Sequence, residues 1–259
     1  MPKEQDPRLP NREVDLSGKV AIVTGGSRGI GRAVAEELGR SGASVVINSR
    51  NNPLEALSKI EVFGSKGLWV PGDIQLEDTR RDLIKQTVEK FGRLDILINN
   101  VGMRHDGLLI RTTDEEFMKV LNVNLVSAVS MTRRAVRQML RQDPQGGKIV
   151  FMGSLASEGS PGQSLYSAAK AGVVGFAKAI AREYETRNIR VNVVSPGLVD
   201  TDMVADLNPK QKEAILKLTG MTRSLKPEEV AISVLNLLSE ESIDTGKVFN
   251  ITGENNEES

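Results

Sequence analysis

The chain has 259 residues, with 34 Lys and Arg against 34 Asp and Glu, one His, no Cys and 39% apolar residues. That length and polarity suit one large globular domain or two small ones. Without thiols there are no disulfide scaffolds, thiolate metal sites or Cys nucleophiles; the single His105 precludes a multi-His metal site, and balanced charge speaks against a nucleic-acid partner.

The first 15 residues (MPKEQDPRLPNREVD) mix both charge signs with three prolines and read as a flexible leader. No stretch reaches the roughly 18 apolar residues of a membrane span. A cytoplasmic location is therefore expected, with an organelle left open. Residues 19–24 (KVAIVT) form a β-branched run that breaks into GGSRGIG, after which AVAEELGRSG carries apolar residues at helical spacing. The pattern predicts strand, glycine-rich turn and helix. Further strands are predicted at 43–48, 68–71, 94–99, 148–152, 190–194 and 247–251, with amphipathic helices at 79–91, 114–140, 167–186 and 227–239. Strands that alternate with helices imply βαβ units, and continuous apolar runs imply a parallel sheet covered on both faces. The expected fold is thus a single α/β domain over 16–253, a doubly wound sheet of about seven strands, with a flexible tail at 254–259.

In the turn T-G-G-S-R-G-I-G (24–31), Gly25, Gly29 and Gly31 allow phosphates to approach backbone N–H groups, and the helix start behind them favours negative charge. The second strand ends in Asn48-Ser49-Arg50, with no acid to bond an adenosine ribose hydroxyl. Arg50 and Arg28 are suited instead to clamp a 2′-phosphate, which favours NADP(H); the alternative is that both are simply solvated. Asp73, after the third strand, is either an acceptor for the adenine amino group or an ordinary turn acid.

Tyr166 and Lys170 stand four apart, on one helical face. A free Tyr titrates near 10, and a neighbouring ammonium favours its phenolate, which suits proton exchange with a carbonyl oxygen. Ser154 follows the apolar run KIVFM, at the carboxyl end of a strand, where its hydroxyl can stabilise charge developing on oxygen; Ser157 is a rival for that role. Asn124, in LNVNL, is either a locally satisfied helical Asn or part of a bent turn that holds a water against Lys170.

Together, the turn 24–31, N-N-V-G (99–102), Asn124, Ser154, Y-S-A-A-K (166–170) and Pro196-Gly197 resemble the short-chain dehydrogenase/reductase family over about residues 16–253. The resemblance implies a Rossmann-type fold and a catalytic tetrad of Asn124, Ser154, Tyr166 and Lys170. It also implies a cofactor site drawn from Gly25, Ser27, Arg28, Gly29, Ile30, Gly31, Ser49, Arg50, Asp73, Ile74, Asn100, Val101, Gly102, Tyr166, Lys170, Pro196, Gly197, Val199 and Thr201, with Asn99 in support. The implied reaction is hydride transfer between a nicotinamide and a carbonyl carbon, with no metal.

Residues 106–111 (DGLLIR), 194–203 (VSPGLVDTDM) and 216–230 are most similar to 3-oxoacyl-[acyl-carrier-protein] reductases, implying NADPH-dependent reduction of a 3-oxoacyl thioester. An acidic carrier would suit a basic stripe of Arg133, Arg134, Arg137 and Arg141 on one helix, with Arg187 after another, although a solvated helix face explains the stripe equally well. A homo-oligomer is expected from the resemblance, with contacts through the helices at 114–140 and 168–186. Three features depart from the family pattern: Val101 in place of Ala, the polar ending GENNEES, and the long leader. The alternatives are a reductase of another ketone, quinone, steroid or sugar, and a non-catalytic nucleotide-binding regulator.

Overall fold

A computed structural model describes residues 14–239 and 245–253 of the chain. The expected tail at 254–259, and all but the end of the leader, lie outside the described residues.

Seven strands, β1 (Val20–Thr24), β2 (Ser44–Ser49), β3 (Gly67–Pro71), β4 (Ile96–Asn99), β5 (Gly147–Met152), β6 (Ile189–Pro196) and β7 (Val248–Ile251), form one sheet in the order 3-2-1-4-5-6-7. Every pair is parallel, so each connection returns across a face of the sheet. The connections carry α1 (Gly29–Arg40), α2 (Leu54–Val62), α3 (Glu77–Phe91), α4 (Asp114–Leu121), α5 (Ser127–Met139), α6 (Ser164–Tyr184), α7 (Pro209–Thr219) and α8 (Pro227–Ser239).

Strand pleating sorts the apolar side chains into two cores. Ala21, Val23, Val45, Ile47, Ile96, Ile98, Val150 and Met152 face one way and meet Val34 and Leu38 of α1 and Val234 and Leu238 of α8. Their neighbours Ile22, Val46, Leu97, Ile149 and Phe151 face the other way and meet Leu83 of α3, Met131 and Met139 of α5, and Val173 and Ile180 of α6. This two-sided burial is why the strands read as unbroken apolar runs. The expected doubly wound sheet is the one observed.

Strand order reverses at β1, which lies between β2 and β4, and open α/β sheets bind ligands at such a point, outside the carboxyl ends of the strands. At the opposite, amino ends of β1 and β4, Asp95 ties the two strands together. Its Oδ2 accepts from Val20 N at 2.9 Å and both its oxygens accept from Arg93, which compensates for the burial of the carboxylate.

The helix expected over 114–140 is interrupted by one wide turn, Asn122–Val126. Before it, α4 starts at a capping box in which Thr113 and Glu116 satisfy each other's backbone N–H groups. The sequence pattern marks neither α2 nor α7.

Candidate active site

The glycine-rich turn is held from below. Gly25 N and Gly26 N both donate to Asn48 O, at 2.8 and 3.3 Å, while the amide of Asn100 donates to Thr24 O and Gly25 O at 3.0 and 3.2 Å. Thr24 ties β1 to β4, since its hydroxyl donates to Ile98 O and accepts from Asn100 N. Gly25 and Gly29 have φ of +68° and +53°, a region that side chains disfavour. A Cβ on Gly31 would overlap Gly25 O and the Asn100 amide nitrogen. Helix α1 begins directly behind, with no side-chain cap, so its first N–H groups remain free to meet an anion. Val101 fits here because its Cγ2 occupies space against Gly25 that a side chain would fill. The turn thus has the shape and donors to hold a pyrophosphate.

The other expected cofactor residues line the same edge of the sheet, with differing freedom to act. Ser27 and Ile30 flank the turn, with Ile30 resting on the core. Ser49 is buried and its hydroxyl donates to Asn51 O at 2.7 Å, whereas Arg50 is exposed and forms no ion pair with any described residue. Arg28 is not free: its Nη1 donates to Asp202 Oδ2 at 3.1 Å. Asp73 turns back on its own loop, accepting from Gln75 N at 2.9 Å. Ile74 and Val199 are core side chains, so only their backbones face a ligand. Asn99 is a correction, because its amide donates to Thr132 on α5 at 2.9 Å and serves packing of the helix on the sheet. At the end of β6, Pro196 is buried, and a Cβ on Gly197 would overlap Met221 Sδ. Thr201 lies against the turn, with its Cγ2 3.2 Å from where a Cβ on Gly29 would stand.

The four tetrad residues come from two connections that meet beside this edge, Asn124 from the one after β4 and Ser154, Tyr166 and Lys170 from the one after β5. Asn124 sits in the wide turn after α4, 1% exposed, where its Oδ1 accepts from Met103 N at 3.1 Å and its Nδ2 donates to Met103 O and Val120 O. The bent turn anticipated for Asn124 is therefore present, and it fixes the loop after β4. Lys170 is also buried, and its Nζ donates to Met152 O at 2.7 Å. Gly102 lies between the two: a Cβ there would be 2.9 Å from Asn124 Oδ1 and 3.4 Å from Lys170 Nζ. Lys170 Nζ is 5.7 Å from the centre of the Tyr166 ring. Ser154 caps the short helix Leu155–Glu158, accepting from Ala156 N, and its hydroxyl favours the Tyr166 phenolate. Ser154, and not Ser157, is among the groups that shift the Tyr166 phenol.

Burial dominates the electrostatics. It pushes the Tyr166 phenol above its ordinary value; the Ser154 hydrogen bond and the Arg104 guanidinium pull it down, and the Asp106 carboxylate pushes it further up. Burial also brings the Lys170 ammonium down to about 8. The expected depression of the phenol by Lys170 is a correction: Lys170 is not among the groups that shift it, and desolvation sets the direction in this cleft.

Sequence reasoning passed over Thr24, Arg104 and the acids Asp202 and Asp206. Arg104 Nε donates to Asp106 Oδ2 at 2.8 Å and its Nη2 to both oxygens of Asp206, at 2.9 and 3.0 Å. The pairing with Asp206 joins residues 102 positions apart, and no local pattern signals it. Thr24, at the junction of strand and glycine-rich turn, was open to detection. Among the described residues no cluster of His, Asp and Glu is able to hold a metal, and no helix is long and apolar enough to cross a membrane.

Residues 19–212 match the short chain dehydrogenase family. The chain is 39% identical over 241 residues to a 3-oxoacyl-[acyl-carrier-protein] reductase of Haemophilus influenzae, covering 92% of this chain and 98% of that protein. It is 40% identical over 236 residues to carbonyl reductase family member 4 of Xenopus tropicalis, covering 91% and 97%. A solved short chain dehydrogenase from Burkholderia cenocepacia, in complex with NADP, superposes with a TM-score of 0.82 at 32% identity, covering 92% of this chain and 98% of that one.

Proposed function

The chain belongs to the short-chain dehydrogenase/reductase family of nicotinamide-dependent oxidoreductases, and on that premise we propose that it uses NADPH to reduce a 3-oxoacyl thioester, carried by an acyl carrier protein or coenzyme A, to the 3-hydroxyacyl thioester. The observation that carries the reading is the convergence of Ser154, Tyr166, buried Lys170 and Asn124 next to a glycine-rich turn built for a pyrophosphate. The resemblance of chain and relatives to 3-oxoacyl-carrier reductases supports the substrate class. The exposed Arg50 and the NADP complex of the Burkholderia relative support the phosphorylated cofactor.

The free N–H groups at the start of α1, the turn 25–31 and the loop 100–102 would hold the dinucleotide, with Pro196, Gly197 and Thr201 at its nicotinamide end. When bound, the reduced nicotinamide supplies the hydride. Ser154 donates a hydrogen bond to the ketone oxygen and stabilises the negative charge that grows there. Tyr166 gives that oxygen its phenolic proton. Lys170, held by Met152 O beneath the ring, stabilises the phenolate left behind and lies next to Asn124 on the path by which the proton is replaced.

Arg133, Arg137 and Arg141 are exposed, as is Arg187, and their charge supports docking of an acidic carrier. Arg134 is instead drawn to Glu77 on α3. A shallow depression of ≈ 190 Å³, lined by Ile84, Arg134, Arg137, Gln138 and Arg141, lies along this stripe. Exposed Leu109, Ile110, Met118 and Val126 support a homo-oligomer, and a cytoplasmic setting belongs to the same reading.

Oxidation of NADPH and of NADH with acetoacetyl-coenzyme A is the test. The wild type is expected to turn over with NADPH, and Tyr166→Phe to lose about 10²- to 10⁴-fold of that rate while still binding the cofactor. Turnover of free ketones but not of the thioester would favour the second reading, a carbonyl reductase, which the Xenopus relative supports.

A further inference from the structure

One short segment, residues 202–207, crosses between the two walls of the cleft. It starts from a fixed base, where Val199 bridges to Leu225, Asp200 N donates to Leu225 O at 2.9 Å and Ser224 Oγ donates to Asp200 Oδ2 at 2.7 Å. It ends at Leu207, which is buried. In between, a tight turn is closed by Val204 N donating to Thr201 O and Leu207 N to Val204 O. Its two carboxylates, four residues apart, reach opposite walls. Asp202 pairs with Arg28 of the glycine-rich turn, 174 residues away, and Asp206 with Arg104 of the loop after β4, 102 residues away.

The two tethers differ in strength. Arg28 and Asp202 are 69% and 70% exposed and share one contact at 3.1 Å, a geometry that water and salt weaken. The Arg104 side chain is only 13% exposed, and it holds Asp206 through two contacts and Asp106 through a third. The end at Asp202 is therefore the one that yields. Arg28 is also one of the cations assigned above to the 2′-phosphate, and a doubly charged phosphate is a stronger partner for a guanidinium than an exposed carboxylate. A phosphate on the adenosine ribose and the Asp202 carboxylate compete for one guanidinium.

We propose that Asp202 is a positioning residue that sets the discrimination between phosphorylated and unphosphorylated adenosine ribose, and that 202–207 is a strap let go at Asp202, but kept at Asp206, when a 2′-phosphate takes Arg28. The proposal rests on the NADPH reading. It makes occupancy of the glycine-rich turn a signal to the segment 202–207, because release of one end leaves the strap pivoting on Arg104.

The test uses adenosine 2′,5′-bisphosphate, which carries the phosphate without the nicotinamide, against adenosine 5′-monophosphate, on the full chain. Asp202→Asn is expected to bind the bisphosphate roughly two- to five-fold more tightly, the range set by one exposed ion pair, with no change for the monophosphate. In the wild type the bisphosphate, but not the monophosphate, is expected to speed amide hydrogen exchange at residues 204–207. In Asp202→Asn that exchange is expected to be fast already and indifferent to ligand. If Arg28→Ala weakens bisphosphate binding while Asp202→Asn changes neither affinity nor exchange, the strap is refuted and the cofactor reading stands. If Arg28→Ala leaves bisphosphate binding intact, Arg28 is not a phosphate ligand and the strap falls with that assignment.

Discussion

Lys170 offers a direct measure of what the site costs the fold. The ammonium is 4% exposed and has one hydrogen bond, to Met152 O, and burial brings it from 10.5 to about 8. Between those values the unfolded chain holds a proton that the folded chain has released, so unfolding becomes harder as pH rises through the window. Below pH 8 the folded state carries the full penalty of a buried cation, on the order of 3 kcal/mol for a shift of this size. Replacement by Met keeps the length and removes the charge. Lys170→Met is therefore expected to be inactive yet more stable than the wild type at pH 7, and its advantage should shrink by about 2 kcal/mol at pH 9.5 as the wild-type lysine discharges. Urea unfolding of both proteins at the two pH values reads this difference of differences. Groups common to both chains cancel, including the raised Tyr166 to the extent that its own titration is unchanged. A difference that stays flat with pH would show that Lys170 is not desolvated as its burial implies.

Asn124→Ala removes three hydrogen bonds and leaves Met103 N–H and C=O without their partner, so it is expected to lower stability by about 2–4 kcal/mol and to cut turnover; an unchanged urea midpoint would refute the anchoring role. Gly31→Ala sets a methyl against Gly25 O and the Asn100 amide, and should cost about 1–3 kcal/mol and at least tenfold in NADPH affinity, measured by thermal unfolding and by quenching of protein fluorescence. Arg50→Ala should weaken NADPH by roughly tenfold and leave NADH unmoved, since it removes one charge-assisted contact to a phosphate; equal effects on both cofactors would remove Arg50 from the phosphate site.

What the sequence discloses depends on how local the cause is. Strand starts and ends fall within two residues of expectation, from β1 through β7, because burial on both faces demands unbroken apolar runs between polar turns; β6 runs on through Ser195 and Pro196, two residues past the predicted end at 194. Helix α7 escaped because none of its residues is buried, so no apolar stripe marks it, and α2 buries only Ala56 and Ile60. The wide turn at Asn122–Val126 was legible only as a polar residue among apolar ones, since what opens the helix there is the bonding of Asn124 to Met103, a residue of another segment. Asn99 and Asn100 show the limit of a motif most plainly. The two stand side by side in N-N-V-G, yet strand alternation turns one to α5 and leaves the other to hold the glycine-rich turn.

The balance of the two titrating groups also says where the proton rests. Burial penalises charge on both, so the phenol of Tyr166 is raised and the ammonium of Lys170 lowered, and both drift toward neutrality. A cleft in this state has Tyr166 protonated at neutral pH, which is the form that gives a proton to a ketone oxygen. The opposite reaction, oxidation of an alcohol, needs the phenolate, and this chain offers it little help: Ser154 and Arg104 favour the phenolate, while desolvation and Asp106 oppose it. Arg104 is itself shared between Asp106 and Asp206, so much of its charge is already answered. The groups around Tyr166 thus leave its proton in place, in the form that gives it to a ketone oxygen, and the help that Ser154 and Arg104 give the phenolate is outweighed by desolvation.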